Sequence, residues 1–147
     1  MEIERKYLIS SLPDDLDSYD HYDIEQAYLN NAPVVRIRRT PKKCELTYKG
    51  SGLMAHEEYN LPLTNEAFEH LMTKADGKTI QKTRYLIPLP PYTIELDIFY
   101  GDQAGLQLAE VEFPSLEEAN AFVPPAWFAE DVTMDPKYHN SHMVYGE

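Results

Sequence analysis

Charged residues in this chain recur as like-signed pairs two positions apart, set in segments that otherwise alternate with aliphatic residues. Residues i and i+2 of a strand share a face, so each pair lies on one side of a sheet. Glu2, Glu4 and Lys6 line up first. Arg36 and Arg38 then oppose Val35 and Ile37, and Lys49 falls with Thr47. Glu58 shares a face with His56 and Asn60, and Lys82 with Arg84. Glu95 and Asp97 oppose Ile94, Leu96 and Ile98, and Glu110 and Glu112 oppose Val111 and Phe113. Any one of these ladders suits an ordinary sheet with its charges in water; Asp23 and Glu25 read as such a solvent-facing pair. The ordered set reads differently. Acidic pairs fall on the first and the last two segments, and basic pairs on the third and sixth. Like charges across a sheet destabilise it, so this segregation makes sense if a cation sits among the carboxylates and a polyanion among the basic groups.

The period-2 segments are 1–10, 20–31, 33–40, 44–50, 54–63, 79–89, 92–100 and 106–113, bounded by Pro, Gly, Asn or Asp. Short connections imply antiparallel neighbours. Helical spacing appears over 64–76, with Thr64 as N-cap and Gly77 as the stop, and over 115–123, which opens on a Ser115…Glu118 capping box. A short turn of helix is expected at 12–18, and a last short helix from about 136, after Asp135-Pro136. Eight strands can close around side chains or one small ligand. The expected fold is therefore α+β: a closed eight-stranded antiparallel β-barrel, or tunnel, with a few short helices packed outside and at one end. If the charged face is the lumen, Ile94, Leu96 and Ile98 must be covered by outer elements such as 64–76 and 115–123. Glu110 and Glu112 must then lie inside.

At 147 residues the chain is read as one domain, 1–147. A net charge of −12 argues against nucleic acid and anionic membranes as partners. It does not exclude a small polyanionic substrate, provided that the basic residues are gathered in a cavity. Cys44 is the only cysteine, which fits a reducing, cytoplasmic setting. No signal peptide or spanning segment is read.

These residues resemble the CYTH superfamily, the triphosphate tunnel metalloenzymes, in its short bacterial type. Glu2-Ile3-Glu4-Arg5-Lys6 is similar to the family's ExExK signature. The ordered series Arg36, Arg38, Lys49, Glu58, Lys82, Arg84, Glu95, Asp97, Glu110 and Glu112 extends the resemblance over nearly the whole chain. Asp131-Val132-Thr133 and Asp135 to Ser141 resemble the end of short bacterial members. The resemblance implies an eight-stranded tunnel that binds a triphosphate with Mg²⁺ or Mn²⁺ and, in most members, hydrolyses it. Asn60 departs from it, since an acid is expected two residues after Glu58.

Phosphoryl transfer needs positioning and charge neutralisation more than covalent chemistry. Glu2, Glu4, Asp97, Glu110 and Glu112 are the candidate metal ligands. Lys6, Arg36, Arg38, Lys49, Lys82 and Arg84 are the candidate phosphate ligands. Lys6 stands where the two zones meet and is a candidate catalytic residue, with Glu58 or Glu95 to orient the attacking water. The histidines show no metal-ligand spacing; His139 and His142 read as surface or tunnel-mouth residues. Cys44 reads as a small strand residue, and Tyr138 with the final helix as a closure of one tunnel end. The expected reaction is metal-dependent hydrolysis of inorganic tripolyphosphate to diphosphate and phosphate. The alternatives are a nucleoside or thiamine triphosphatase, an adenylate cyclase, and a non-catalytic polyphosphate-binding module. Oligomeric state is left open.

Overall fold

The computed structural model describes residues 1–145; Gly146 and Glu147, the end of the predicted tail, lie outside the described residues. The strands are β1 (Glu2–Ile9), β2 (Asp20–Asn30), β3 (Val34–Arg39), β4 (Cys44–Lys49), β5 (Ala55–His56), β6 (Glu58–Leu63), β7 (Asp76–Leu89), β8 (Tyr92–Tyr100), β9 (Gln107–Glu112) and β10 (Phe128–Asp131). The helices are α1 (Asn65–Met72), α2 (Leu116–Ala121) and α3 (Asn140–Tyr145), with single 3₁₀ turns at Leu16–Ser18, Gly101–Gln103 and Pro136–Tyr138. None of these helices is long and apolar enough to cross a membrane.

Every pairing is antiparallel, in the order β10-β1-β9-β8-β7-β2-β3-β4-β6. Only Glu57 separates β5 from β6, and β5 pairs β1 through Glu2↔His56 and Ile3↔Ala55. This contact nearly closes the sheet into a barrel. The path carries nine strands rather than the expected eight. β5 occupies only the start of the β1 edge, which leaves Tyr7 and Ile9 with free backbone groups, and β10 takes them through Tyr7↔Asp131 and Ile9↔Phe128. A bare sheet edge is a liability, so four residues too short to stand out by pattern are held there by pairing.

The sidedness follows the charge ladders. Ile94 and Leu96 pack on the outside with Tyr7, Ala109, Val111 and Ala119 of α2, beneath Phe122 and Trp127. Ile98 is only half-buried, because the outer layer stops short of it. α1 covers a different patch, seating Phe68 on Ala27, Ile37 and Cys44. It also ends earlier than expected, at Met72. Gly77 is not a helix stop but part of β7, at φ +58, where a Cβ would meet the Val144 carbonyl oxygen at 2.5 Å. The β2–β7 register shifts beside it, between Gln26 and Tyr28.

Inside, the register carries one face from strand to strand. Lys6 lies opposite Glu110, Glu110 opposite Glu95, Arg84 opposite Asp97, Gln26 opposite Arg38, and Lys49 opposite Glu58. At one end this face turns apolar. Leu8, Ile80, Phe99 and Leu108 share a cluster with Val144 and Tyr145 of α3. The carboxyl-terminal segment thus covers that end of the lumen.

Candidate active site

A cavity of about 470 Å³ occupies the lumen, within the usual size of small-ligand sites. Of the predicted site residues, Glu2, Glu4, Lys6, Arg36, Arg38, Lys49, Glu58, Arg84, Glu95, Glu110 and Glu112 line it. Glu112 does so from the exposed rim. Asp97 and Lys82 do not reach the cavity surface. They sit one step deeper toward the apolar end, 1% exposed each. Lys82 Nζ lies 2.7 Å from Asp97 Oδ2, and Arg84 donates two hydrogen bonds to the same carboxylate, at 2.8 and 2.9 Å. Asp97 is therefore engaged by two cations of the protein itself. A larger groove of about 1020 Å³ runs outside the barrel. Its Arg39 is satisfied by Glu25 and Glu69, and its Lys43 is paired with Glu45.

Electrostatics divides the lumen. Burial alone would push Glu110 up, but Lys6 at 3.3 Å, with Arg84 and Lys82, holds it well below the usual carboxylate range. Burial lowers Lys6, and Glu110 and Glu4 override it, so the ammonium stays charged. Lys6 also donates to the Tyr138 carbonyl at 3.1 Å, which ties β1 to the tail. Burial drives Lys82 down to about 7 in spite of Asp97, because Arg84 and Arg38 crowd it with like charge. Burial raises Glu58 and Glu95 as well. Lys49 lies 3.8 Å from Glu58, and Arg84 lies 3.4 Å from Glu95.

Two arginines stand apart. Arg38 Nε donates to the Gln26 amide oxygen at 2.9 Å, and Arg36 Nη2 donates to the Thr47 hydroxyl at 3.1 Å. Thr47 in turn donates to Asn60 at 2.6 Å. No carboxylate is ion-paired with either arginine among the described residues, and buried Arg36 Nε has no partner at all. Burial and the neighbouring Arg36 and Arg84 lower Arg38 only to about 10, so it keeps its charge at neutral pH. Asn60, at the position where an acid was expected, thus ends the Arg36 chain on a neutral acceptor.

The opposite imbalance surrounds Glu4. Its side chain makes no hydrogen bond or ion pair among the described residues, although the residue is only 7% exposed. Burial, and then Glu110, pushes it up to about 8. Glu2 goes the other way: His56 and Lys49 overcome burial and hold it at about 2. Ligand atoms of Glu2, Glu4 and His56 lie within 4.8 Å of one another. A buried carboxylate without a partner, beside two further donors, is a set that fits a divalent cation.

His56 was missed in the sequence although it shares the Glu58 face, because no second histidine stands at ligand spacing. Gln26, Thr47 and the Tyr138 carbonyl were missed as well; only strand parity points to the first two. His139 lines the cavity, as a tunnel-mouth reading implies. Burial, and then Lys6, lowers it to about 4, so it is neutral.

No family model matches the chain. An inorganic triphosphatase of Nitrosomonas europaea is 37% identical, over 97% of this chain and 96% of that one. An inorganic triphosphatase of Acetivibrio thermocellus is 34% identical, over 97% and 92%. A solved crystal structure of an inorganic triphosphatase superposes with a TM-score of 0.74 at 34% identity, covering 100% of this chain and 96% of that one. With relatives this similar along nearly the full length, and a charge-segregated lumen in a nearly closed barrel, the chain belongs to the inorganic triphosphatases of the CYTH superfamily.

Proposed function

We propose that the chain hydrolyses inorganic tripolyphosphate to diphosphate and phosphate with the help of Mg²⁺ or Mn²⁺, as one domain over 1–147 acting in the cytoplasm. The observation that carries this is the pair Arg36 and Arg38, charged and without carboxylate partners, in the same 470 Å³ cavity as an unpartnered Glu4. One group lacks an anion and the other a cation, and a metal–triphosphate complex supplies both. The names of the two relatives support inorganic tripolyphosphate over other triphosphates.

In this reading Arg36, Arg38, Lys6, Lys49 and Arg84 hold the phosphates. Lys82 adds charge from behind, its ammonium favoured once an anion sits in front of it. Glu2, Glu4, Glu110 and Glu112 face the cation. Asp97 orients Lys82 and Arg84 for the substrate, or joins the metal if they let go of it. A bound divalent cation supplies charge neutralisation to the phosphoryl oxygens. Water attacks the terminal phosphorus, the bridging P–O bond breaks, and diphosphate leaves. The proton released by the water goes to a carboxylate. Glu58 and Glu95, raised by burial, are stronger bases than ordinary glutamates.

The test is phosphate release from tripolyphosphate, ATP and thiamine triphosphate, each with Mg²⁺ or Mn²⁺. The expected result is a kcat/KM for tripolyphosphate above those for the other two. A preference for ATP, cyclic AMP as product, or tight tripolyphosphate binding with no turnover would each replace this reading.

A further inference from the structure

His56 has no place in the ladders of acids and bases, yet it stands among them. β5 is only two residues long, and its pairing sets His56 directly opposite Glu2. The turn before it is fixed: Gly52 sits at φ +121, where a Cβ would lie 2.1 Å from the Ala55 carbonyl oxygen. The imidazole is buried, its side chain 5% exposed, and Nε2 meets a Glu2 carboxylate oxygen. Nδ1 makes no hydrogen bond among the described residues. Glu4, nine-tenths buried and unpartnered, points into the same spot, and the three ligand atoms fit within 4.8 Å.

We propose that His56 is a nitrogen ligand to the divalent cation held by Glu2 and Glu4, and that it biases the site toward Mn²⁺ over Mg²⁺. This rests on the metal-dependent reading above. Mg²⁺ is a hard cation that takes oxygen donors and keeps its waters, whereas imidazole suits transition metals. An all-oxygen shell would be indifferent to an imidazole; here the imidazole occupies one corner of the donor triangle. Ligation through Nε2 replaces the proton on that nitrogen and leaves the tautomer with hydrogen on Nδ1, the nitrogen free of other bonds.

The test uses the full chain loaded with Mn²⁺ alone and read by electron spin-echo spectroscopy. The protein should show ¹⁴N modulation from one directly bound imidazole, and ¹⁵N-histidine labelling of the unmutated protein should convert it to the ¹⁵N pattern. His56→Gln should lose the modulation, and His139→Gln should keep it. In His56→Gln the Mn²⁺ affinity should fall by at least the roughly ten- to hundredfold that losing an outer-shell partner costs, with a much smaller change for Mg²⁺. Bound Mn²⁺ without nitrogen coupling overturns the assignment, as does loss of coupling in the His139 variant. Equal losses for both metals would make His56 a positioning residue for Glu2 and overturn it too. If Mn²⁺ does not bind at all, the metal-dependent reading falls together with it.

Discussion

Arg84 and Arg36 look into the same lumen and are held in contrasting ways. Arg84 grips Asp97 with two hydrogen bonds and has Glu95 at 3.4 Å. Arg36 has the Thr47 hydroxyl, and its Nε has nothing. The same contrast divides the carboxylates: Glu110 is paired with Lys6, and Glu4 is not paired. On β7, β8 and β9, together with Lys6 of β1, charge is neutralised within the protein and supports the site, whereas Glu4 of β1 is left without a partner. On β3 the two arginines are instead solvated by neutral groups of β2 and β4, Gln26 and Thr47. Charge that the fold already compensates shapes the lumen before a ligand arrives, and charge that it leaves uncompensated is what a ligand has to satisfy.

Arg84→Ala tests the compensated side most severely. It breaks a buried pair, and the expected cost is about 3–5 kcal/mol of unfolding free energy in urea; a loss under 1 kcal/mol would erase the distinction. Glu4→Gln probes the uncompensated side. It should lower kcat/KM for tripolyphosphate by about 10²–10³-fold, the scale for losing one electrostatic stabiliser, while the melting temperature holds or rises. Arg36→Ala should raise KM by about ten- to a hundredfold, as for a charged hydrogen bond of 1.5–3 kcal/mol, and should cost far less stability than Arg84→Ala. Equal destabilisation by the two arginine variants would contradict the comparison.

Lys82→Met sharpens it further. Arg84 already satisfies Asp97, so Lys82 is the surplus cation of a buried cluster. Because burial outweighs Asp97 in disfavouring the Lys82 ammonium, the variant should leave the ligand-free protein as stable or more stable at neutral pH and should weaken tripolyphosphate binding. The pH dependence follows in sign. Burial lowers Lys82 from 10.5 to about 7, so between those values the unfolded chain binds more protons and unfolding free energy rises with pH. Lys82→Met should flatten that rise in thermal melts between pH 7 and 10; an unchanged slope assigns it to other groups.

Much of this was legible in the sequence because the lumen face is charged and the outer face aliphatic, so strand parity separates them. Ile94 and Leu96 went outside and Glu110 inside on that ground alone. Depth along the barrel was not legible. Lys82 and Arg84 have the same parity, yet only Arg84 lines the cavity, because the next lumen position from Lys82 is Ile80 in the apolar end. The length of α1 was overestimated because β7 draws Asp76 into pairing with Tyr28. β10 carries too few residues to show a period, and its pairing depends on the edge that β5 leaves bare. Neutral lumen residues such as Gln26 and Thr47 carry no sign, and only their cross-strand partners give them a role.

The place of β1 in the sheet has a consequence for the making of the protein. Beyond the two-residue β5 at its start, its neighbours are β9 and β10, and the Lys6 amide bonds to Thr133 across a separation of 127 residues. At ~5–20 residues per second, ribosomal synthesis leaves β1 waiting for roughly 6–25 s before that partner exists. Contacts so distant in the chain also slow folding itself. Glu2 and Glu4 belong to this waiting strand; His56, opposite Glu2, is made early, but Glu110 and Glu112 join them only when the chain has been made through β9. A chain that ends before Gln107 lacks Glu110, Glu112 and the strand that joins β1 to β8, so the wall of the lumen is incomplete until β9 has been made.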